Sequence, residues 1–170
     1  TNQYSILNKN HLGGAFVTRE IEEQIVKTDI RKIREIDRLQ PFIVIETGIM
    51  HCSYLENFMS KEEGEVYFNK YTQAHKGLRP IVIFIDTKPQ ISWQRRKRKY
   101  VERIHKAGVT DPSRKKEMLA KYRANIEKLY PLWIKYYKKI PFRKYLIKNS
   151  YTDWEKCKGK IKGIIEKNII

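Results

Sequence analysis

The chain has 170 residues, of which 41% are hydrophobic and 12% aromatic. This length and composition exclude a disordered tail and predict a single folded domain over residues 1–170. The formal net charge of +17 is unusual for a small metabolic enzyme and predicts an anionic partner (a nucleotide, a nucleic acid or an acidic surface), with simple solvation of the surface by lysines as the alternative.

The first half of the chain alternates helical and apolar segments. Residues 17–39 carry apolar side chains at helical intervals among charges, which predicts an amphipathic helix, with a break near its middle as the alternative. The apolar run 42–45 predicts a first strand that is buried on both faces. Residues 49–59 are expected to be helical. Ser60, with glutamates two and three positions later, predicts the N-cap of a helix over 61–74.

The second half repeats the alternation. The apolar run 81–85 predicts a second buried strand, and residues 89–107 predict a long basic helix. A further helix contains Pro131, which either kinks it or marks the junction of two helices. A third short strand at 144–148 and a final helix at 154–170 complete the pattern. This order predicts an α/β fold with a mostly parallel sheet and helices on both faces.

Charged side chains follow the two longer apolar runs. Glu46 comes directly after the first run, and a cationic cluster at 95–99 follows the second. Ligands of parallel sheets bind beyond the carboxyl ends of the strands, so these groups are expected where a phosphate ligand would bind. Glu46 is therefore a candidate to coordinate Mg²⁺, with a solvated acid or a helix N-cap as the alternatives.

This order of parts resembles the P-loop nucleoside and nucleotide kinases, such as the deoxynucleoside kinases and thymidylate kinase, over roughly residues 41–170. In that family an acid at the end of a strand helps to hold magnesium, and Ile43-Val44-Ile45-Glu46 is similar to that segment. The next strand leads through a proline-containing turn into a helix whose arginines form a lid over the phosphates. The matching residues are 83–90 followed by Arg95, Arg96, Arg98 and Arg103.

The resemblance also implies a reaction. The γ-phosphoryl group of ATP, with Mg²⁺, would pass to a hydroxyl or phosphate of a small acceptor such as a nucleoside or nucleotide. Arg95, Arg98 and Arg103 would neutralise charge in the transition state, and Arg96 would bind substrate. Asn149 and Ser150, which follow the last strand, would lie near the adenine. A solvated basic helix is the alternative for the arginines.

One motif of that family is absent. The pattern G-x-x-x-x-G-K-[ST], whose backbone amides and lysine bind the phosphates, does not occur in this chain. Two explanations stay open: the motif and a central strand precede Thr1 in a longer polypeptide, or the protein has lost them. The lack of an initiating methionine favours the first.

Further candidates for the site lie near the starts of two predicted helices. His51 and Tyr54 come about one turn after Glu46 and are expected to face the same cleft, where His51 could bind substrate or transfer a proton. A partly buried histidine with satisfied hydrogen bonds is the alternative. Arg19 could reach a substrate phosphate from the start of the first helix.

A different class of function is also open. A non-catalytic nucleic-acid-binding module could use the basic helix 91–106 and the segment 130–148, in which lysines alternate with aromatic residues. The aromatic residues could instead form a core-facing stripe.

The remaining features of the sequence concern disulfides, metal ligands, membrane segments and the cellular compartment. Cys52 and Cys157 predict no disulfide framework, and the histidines and cysteines lack zinc-ligand spacing. No apolar stretch approaches the roughly 18 residues of a transmembrane helix. We therefore expect a cytoplasmic protein without a membrane partner.

Overall fold

Helices make up most of the described chain, which comprises Leu12 and residues 14–36, 48–149 and 154–169 of a computed structural model. The α-helices are α1 (Arg19–Arg34), α2 (His51–Leu55), α3 (Lys61–Ala74), α4 (Pro89–Lys106), α5 (Pro112–Lys139) and α6 (Trp154–Ile169), and 3₁₀ turns cover Gly14–Phe16 and Gly48–Met50. Two six-residue strands, β1 (Ile81–Asp86) and β2 (Arg143–Lys148), pair in parallel.

The predicted α/β fold, with a mostly parallel sheet and helices on both faces as in the P-loop kinases, is wrong. The sheet of the described residues has two strands, and helices dominate. The predicted strand at 42–45 lies outside the described residues. All six positions of β1 are only half-buried, so its apolar run does not mark a strand enclosed on both faces. An apolar run identifies a hydrophobic strand but does not show how many strands and helices surround it.

Several helix boundaries predicted from local signals are confirmed. Ser60 Oγ accepts a hydrogen bond from the Glu63 N–H at 3.2 Å, and Glu63 Oε2 accepts one from the Ser60 N–H at 2.9 Å, which together form a capping box at the start of α3. Gly108 follows α4 with a φ of 75°, a conformation that favours glycine. By contrast, α1 shows no break, and α5 continues through Pro131 as one 28-residue helix.

Two apolar clusters hold the helices together, and α5 contributes to both. The larger cluster packs α1, α2 and α3 against the C-terminal end of α5, and its buried residues are Val26, Ile30, Ile33, Ile49, Cys52, Leu55, Phe68, Tyr71, Tyr136 and Ile140. The smaller cluster joins α4 to the N-terminal half of α5. Its buried residues are Tyr100, Ile104, Met118, Tyr122 and Ile126. The stacked rings of Tyr100 and Tyr122, with centroids 4.1 Å apart, lie at its centre.

The parallel pairing brings distant segments to one edge. Ile81 pairs with Arg143 at one end of the sheet, and Asp86 pairs with Lys148 at the other. Because both strands run in the same direction, the start of α4 and the residue that follows β2 meet at the carboxyl edge.

Candidate functional site

The carboxyl edge of the sheet brings together two of the predicted site residues. The Asn149 N–H donates to the Asp86 carbonyl oxygen at 2.9 Å and extends the strand pairing by one residue. Arg95 Nη2, on the second turn of α4, donates to Asn149 Oδ1 at 3.4 Å. Asn149 is buried, whereas Arg95 is exposed. A guanidinium group and an amide that are 54 residues apart in the sequence therefore contact each other at the carboxyl edge of the sheet.

Three further side chains complete this group, which we call the edge cluster: Asp86, Lys88, Arg95, Tyr130 and Asn149. Tyr130 Oη donates to Asp86 Oδ1 at 2.9 Å, and Lys88 Nζ donates to Tyr130 Oη at 3.0 Å. The hydrogen bond to Tyr130 raises the pKa of Lys88 above its ordinary value, so Lys88 carries its charge at neutral pH. The edge thus presents two cations, Lys88 and Arg95, together with the carboxylate of Asp86 and the amide of Asn149.

A second group lies between α1 and the segment that begins with α2, and we call it the acid–histidine cluster: Glu22, Asp29, His51 and Tyr54. His51 Nδ1 lies 3.3 Å from Glu22 Oε2, and both side chains are largely buried. Because a carboxylate only accepts, this contact is a hydrogen bond when Nδ1 carries the proton, which leaves Nε2 as an acceptor in the neutral ring.

Tyr54 connects the acid–histidine cluster to α4 and α5. Its ring centroid lies 5.6 Å from that of His51 and 6.0 Å from that of Trp133. Burial raises the pKa of Tyr54 to about 12, and the charge of Arg96 partly opposes this rise. Arg95 and Arg96 are therefore adjacent in sequence but serve different groups, since successive helical residues diverge by about 100°.

Asp29 is a buried acid on the same face of α1 as Glu22. It is 8% exposed, and none of the described residues donates a hydrogen bond to its Oδ2 atom. Burial raises the pKa of Asp29, while the charges of His51 and Lys32 oppose the rise. Burying a carboxylate without a full set of partners is costly, so this part of α1 is not built for stability alone.

Other predicted site residues lie apart from these groups. Arg98 is 93% exposed and pairs with Glu102 at 3.2 Å. Arg103 Nη1 donates to the Leu12 carbonyl oxygen at 3.4 Å, which gives it a structural contact about 12 Å along α4 from Arg95. Arg19 binds two acids, Glu23 at 2.8 Å and Glu63 at 3.0 Å, which tie the start of α1 to α3. Glu46 and Ser150 lie outside the described residues.

The aromatic residues of 130–148 pack inward. Tyr136 is fully buried and lies 5.3 Å from Phe68, and Tyr137 stacks on Phe84 at 5.1 Å. Tyr136 therefore belongs to the apolar interior, whereas the other aromatic residues of this segment are half-buried: Tyr130, Trp133, Tyr137, Phe142 and Tyr145.

Sequence reasoning missed Glu22 and Asp29. The sequence predicts an amphipathic helix with apolar side chains among charges, and two of those charged residues lie on the buried face of α1, which consists of Glu22, Val26, Asp29, Ile30 and Ile33. The spacing of these residues could have indicated that the two acids are buried, because positions 22, 26, 29 and 33 lie on one helical face.

The described residues hold no group of three or more His, Cys, Asp and Glu side chains that could bind a metal ion. Magnesium needs fewer protein ligands when a nucleotide supplies phosphate oxygens, so one or two carboxylates would suffice. Among helices of the described ranges, none is long and apolar enough to cross a membrane.

The chain matches no protein-family model, no curated protein and no solved structure. The resemblance to the P-loop kinases therefore stays a prediction from the sequence, and the function has to be argued from the two groups described above.

Proposed function

We propose that this protein is an ATP-dependent phosphotransferase that acts on a small acceptor carrying a hydroxyl or phosphate group. The contact between Arg95 and Asn149 carries the proposal. The kinase resemblance assigned one residue to the phosphates and the other to the adenine, on separate segments, and the parallel strands bring them to one edge. This placement needs two parallel strands and does not depend on the larger sheet that was expected.

The edge cluster has the chemistry that a nucleotide requires. The planar guanidinium group of Arg95 is suited to a phosphate ligand, because such a group can bind two phosphate oxygens at once. Lys88 adds a second cation at the start of α4, where the N-terminal amides of the helix also favour negative charge. The amide oxygen of Asn149 accepts a hydrogen bond from Arg95 and so would hold the guanidinium in position beside a bound nucleotide.

The acid–histidine cluster is suited to handle the proton of the acceptor. In the proposed reaction the acceptor hydroxyl transfers its proton to Nε2 of His51, while its oxygen bonds to the γ-phosphorus and the bond from that phosphorus to the ADP oxygen breaks. Glu22 holds Nδ1–H and stabilises the imidazolium ring that forms. Arg96, which lies near Tyr54, would neutralise charge on the transferred group.

Magnesium would enter with the phosphates of ATP, and its chemistry would be to neutralise the charge of the β- and γ-phosphoryl groups. Glu46 remains the predicted protein ligand. Asp86 is the acid at the described edge, but its Oδ1 atom already accepts a hydrogen bond from Tyr130.

Calorimetric titration of the chain with MgATP tests the proposal. We expect binding that Arg95→Gln weakens about tenfold or more, because a hydrogen bond to a charged group contributes about 1.5–3 kcal/mol. Arg123→Gln is the matched control, since Arg123 is exposed and paired with Glu127 on α5. Binding weaker than about 1 mM, or equal losses in both variants, would refute the proposed site.

A further inference from the structure

The positive charge of this protein is concentrated in one segment. Residues 88–128, which span α4 and most of α5, contain 14 Lys and Arg against 4 Asp and Glu, so they carry a net charge of +10 out of +17. A single nucleotide needs only a few cations for its phosphates. The excess therefore calls for an explanation beyond the edge cluster.

Helix α4 carries far more cations than acids, so few of its cations can pair within the helix. On α5, Lys121, Arg123, Lys135 and Lys139 each form an ion pair with a glutamate. α4 contains seven Lys and Arg but one acid, Glu102, which pairs with Arg98. Compensation of the helix dipole can explain Arg103 and Lys106 in the last turn of α4, but it does not explain the cations at 95–99, which lie in mid-helix.

Three of these cations form a row on the solvent face of α4. Arg98, Lys99 and Lys106 are exposed and lie opposite Tyr100 and Ile104, which pack against α5. We call these three residues the basic stripe. Within the described residues neither Lys99 nor Lys106 forms an ion pair, and Arg98 remains 93% exposed despite its contact with Glu102. The stripe begins about one turn after Arg95 of the edge cluster and runs about 12 Å along the helix.

We propose that the basic stripe binds the phosphate backbone of a single-stranded nucleic acid. Like charges on one helix face destabilise the free protein, and counterions released from a bound strand would offset that cost. Arg98 and Lys99 lie on one helical turn and Lys106 lies about two turns, or about 10 Å, farther along, with Glu102 on the turn between them, so the stripe can contact an extended strand at two separate positions. A duplex carries one charge per about 1.7 Å, far more than a single row of cations on a convex surface can match.

A membrane surface fits the stripe less well. Helices that bind anionic membranes insert an apolar face beside their basic residues, but the apolar face of α4 is buried against α5. The recognition is also expected to be independent of base sequence, because the aromatic rings nearby pack inside the protein.

Fluorescence anisotropy with a labelled single-stranded oligothymidylate of about 12 nucleotides tests this proposal, at several salt concentrations. The test variant combines Arg98→Gln, Lys99→Gln and Lys106→Gln and leaves the edge cluster unchanged. We expect roughly 10- to 100-fold weaker binding at about 0.1 M salt, and a salt slope smaller in magnitude by about 2, since each single-strand contact contributes about 0.7.

The matched control removes the same charge from another helix. Lys156→Gln, Lys160→Gln and Lys167→Gln change three exposed lysines on α6, and binding should change less than about twofold. Glutamine is a good helix former, so both triple variants should keep the helical circular dichroism of the parent. Arg98→Gln alone, at a side chain that is 93% exposed, tests the same contact if the triple variant does not fold.

Three results would overturn the inference. The first is an equal loss of oligonucleotide binding in the two triple variants, and the second is tighter binding of the matching duplex than of the single strand. The third is a test variant that loses binding to anionic lipid vesicles but keeps its binding to the oligonucleotide. None of these readouts involves ATP. Failure of this inference and failure of the proposed transferase function are therefore distinguishable.

Discussion

Replacement of the buried acid Asp29 should stabilise the protein, and increasingly so as the pH rises. Burial raises the pKa of Asp29, so the folded state holds its proton up to a higher pH than the unfolded state does. By linkage, the free energy of unfolding that depends on this group is highest below the unfolded pKa of about 3.9 and falls as the pH rises through the folded pKa. Asp29→Asn removes this titration. The difference in stability between variant and parent should therefore increase with pH and then level off.

The size of the effect follows from the environment of the carboxylate. Its Oδ2 atom receives no hydrogen bond from any described residue, and the residue is 8% exposed. An unsatisfied buried polar group costs about 1–3 kcal/mol, and more when it is charged. With a urea slope of about 2 kcal/mol/M, the variant should gain about 0.5–1.5 M in the midpoint of unfolding near pH 7.

Urea unfolding followed by circular dichroism between about pH 4 and pH 8 measures this difference. Glu155→Gln is the matched control, because it makes the same change of charge at a side chain that is 82% exposed and should alter stability little at any pH. A gain that is absent at pH 7, or that shrinks as the pH rises, would show that Asp29 is not an uncompensated buried acid.

The remaining predictions concern stability and are checked by urea or thermal unfolding. Ser60→Ala removes the capping box of α3 and should lower the free energy of unfolding by about 1 kcal/mol, whereas Lys61→Ala, one residue later, should change it little. Gly108→Ala should destabilise by about 1 kcal/mol, because Gly108 adopts a φ of 75°. Gly159→Ala should instead stabilise by about 0.5–1 kcal/mol, since Gly159 lies inside α6 and an added Cβ meets no atom within 4 Å; an effect of the same sign at both glycines would contradict this reasoning.

Local signals predicted the helices well because their causes lie within a few residues. The capping box at Ser60 and the glycine after α4 are local hydrogen-bonding and dihedral effects, and the structure contains both. The continuous helix through Pro131 was left open, since whether packing tolerates the missing hydrogen bond depends on distant residues.

The sheet could not be predicted in the same way. The apolar run of β1 predicts a strand enclosed on both faces, yet each of its residues is half-buried. Strand neighbours come from remote parts of the chain, and hydrophobicity alone does not identify them. The meeting of Arg95 and Asn149 was nevertheless predictable, because it required only that two strands lie side by side in the same direction.

Helix α4 contributes residues to both proposed binding sites, at different positions along its length. Arg95 contacts Asn149 at the edge cluster, whereas Arg98, Lys99 and Lys106 lie farther along the solvent face. A strand bound along the basic stripe would therefore end beside the group proposed to bind ATP, and its terminal phosphate would compete with the nucleotide for Arg95. Neutralising the stripe should leave MgATP binding intact, whereas Arg95→Gln should weaken both ligands. If the stripe variant lost MgATP binding as well, the charge of the whole helix, and not the contact at Arg95, would control nucleotide binding, and the division of α4 into two sites would be wrong.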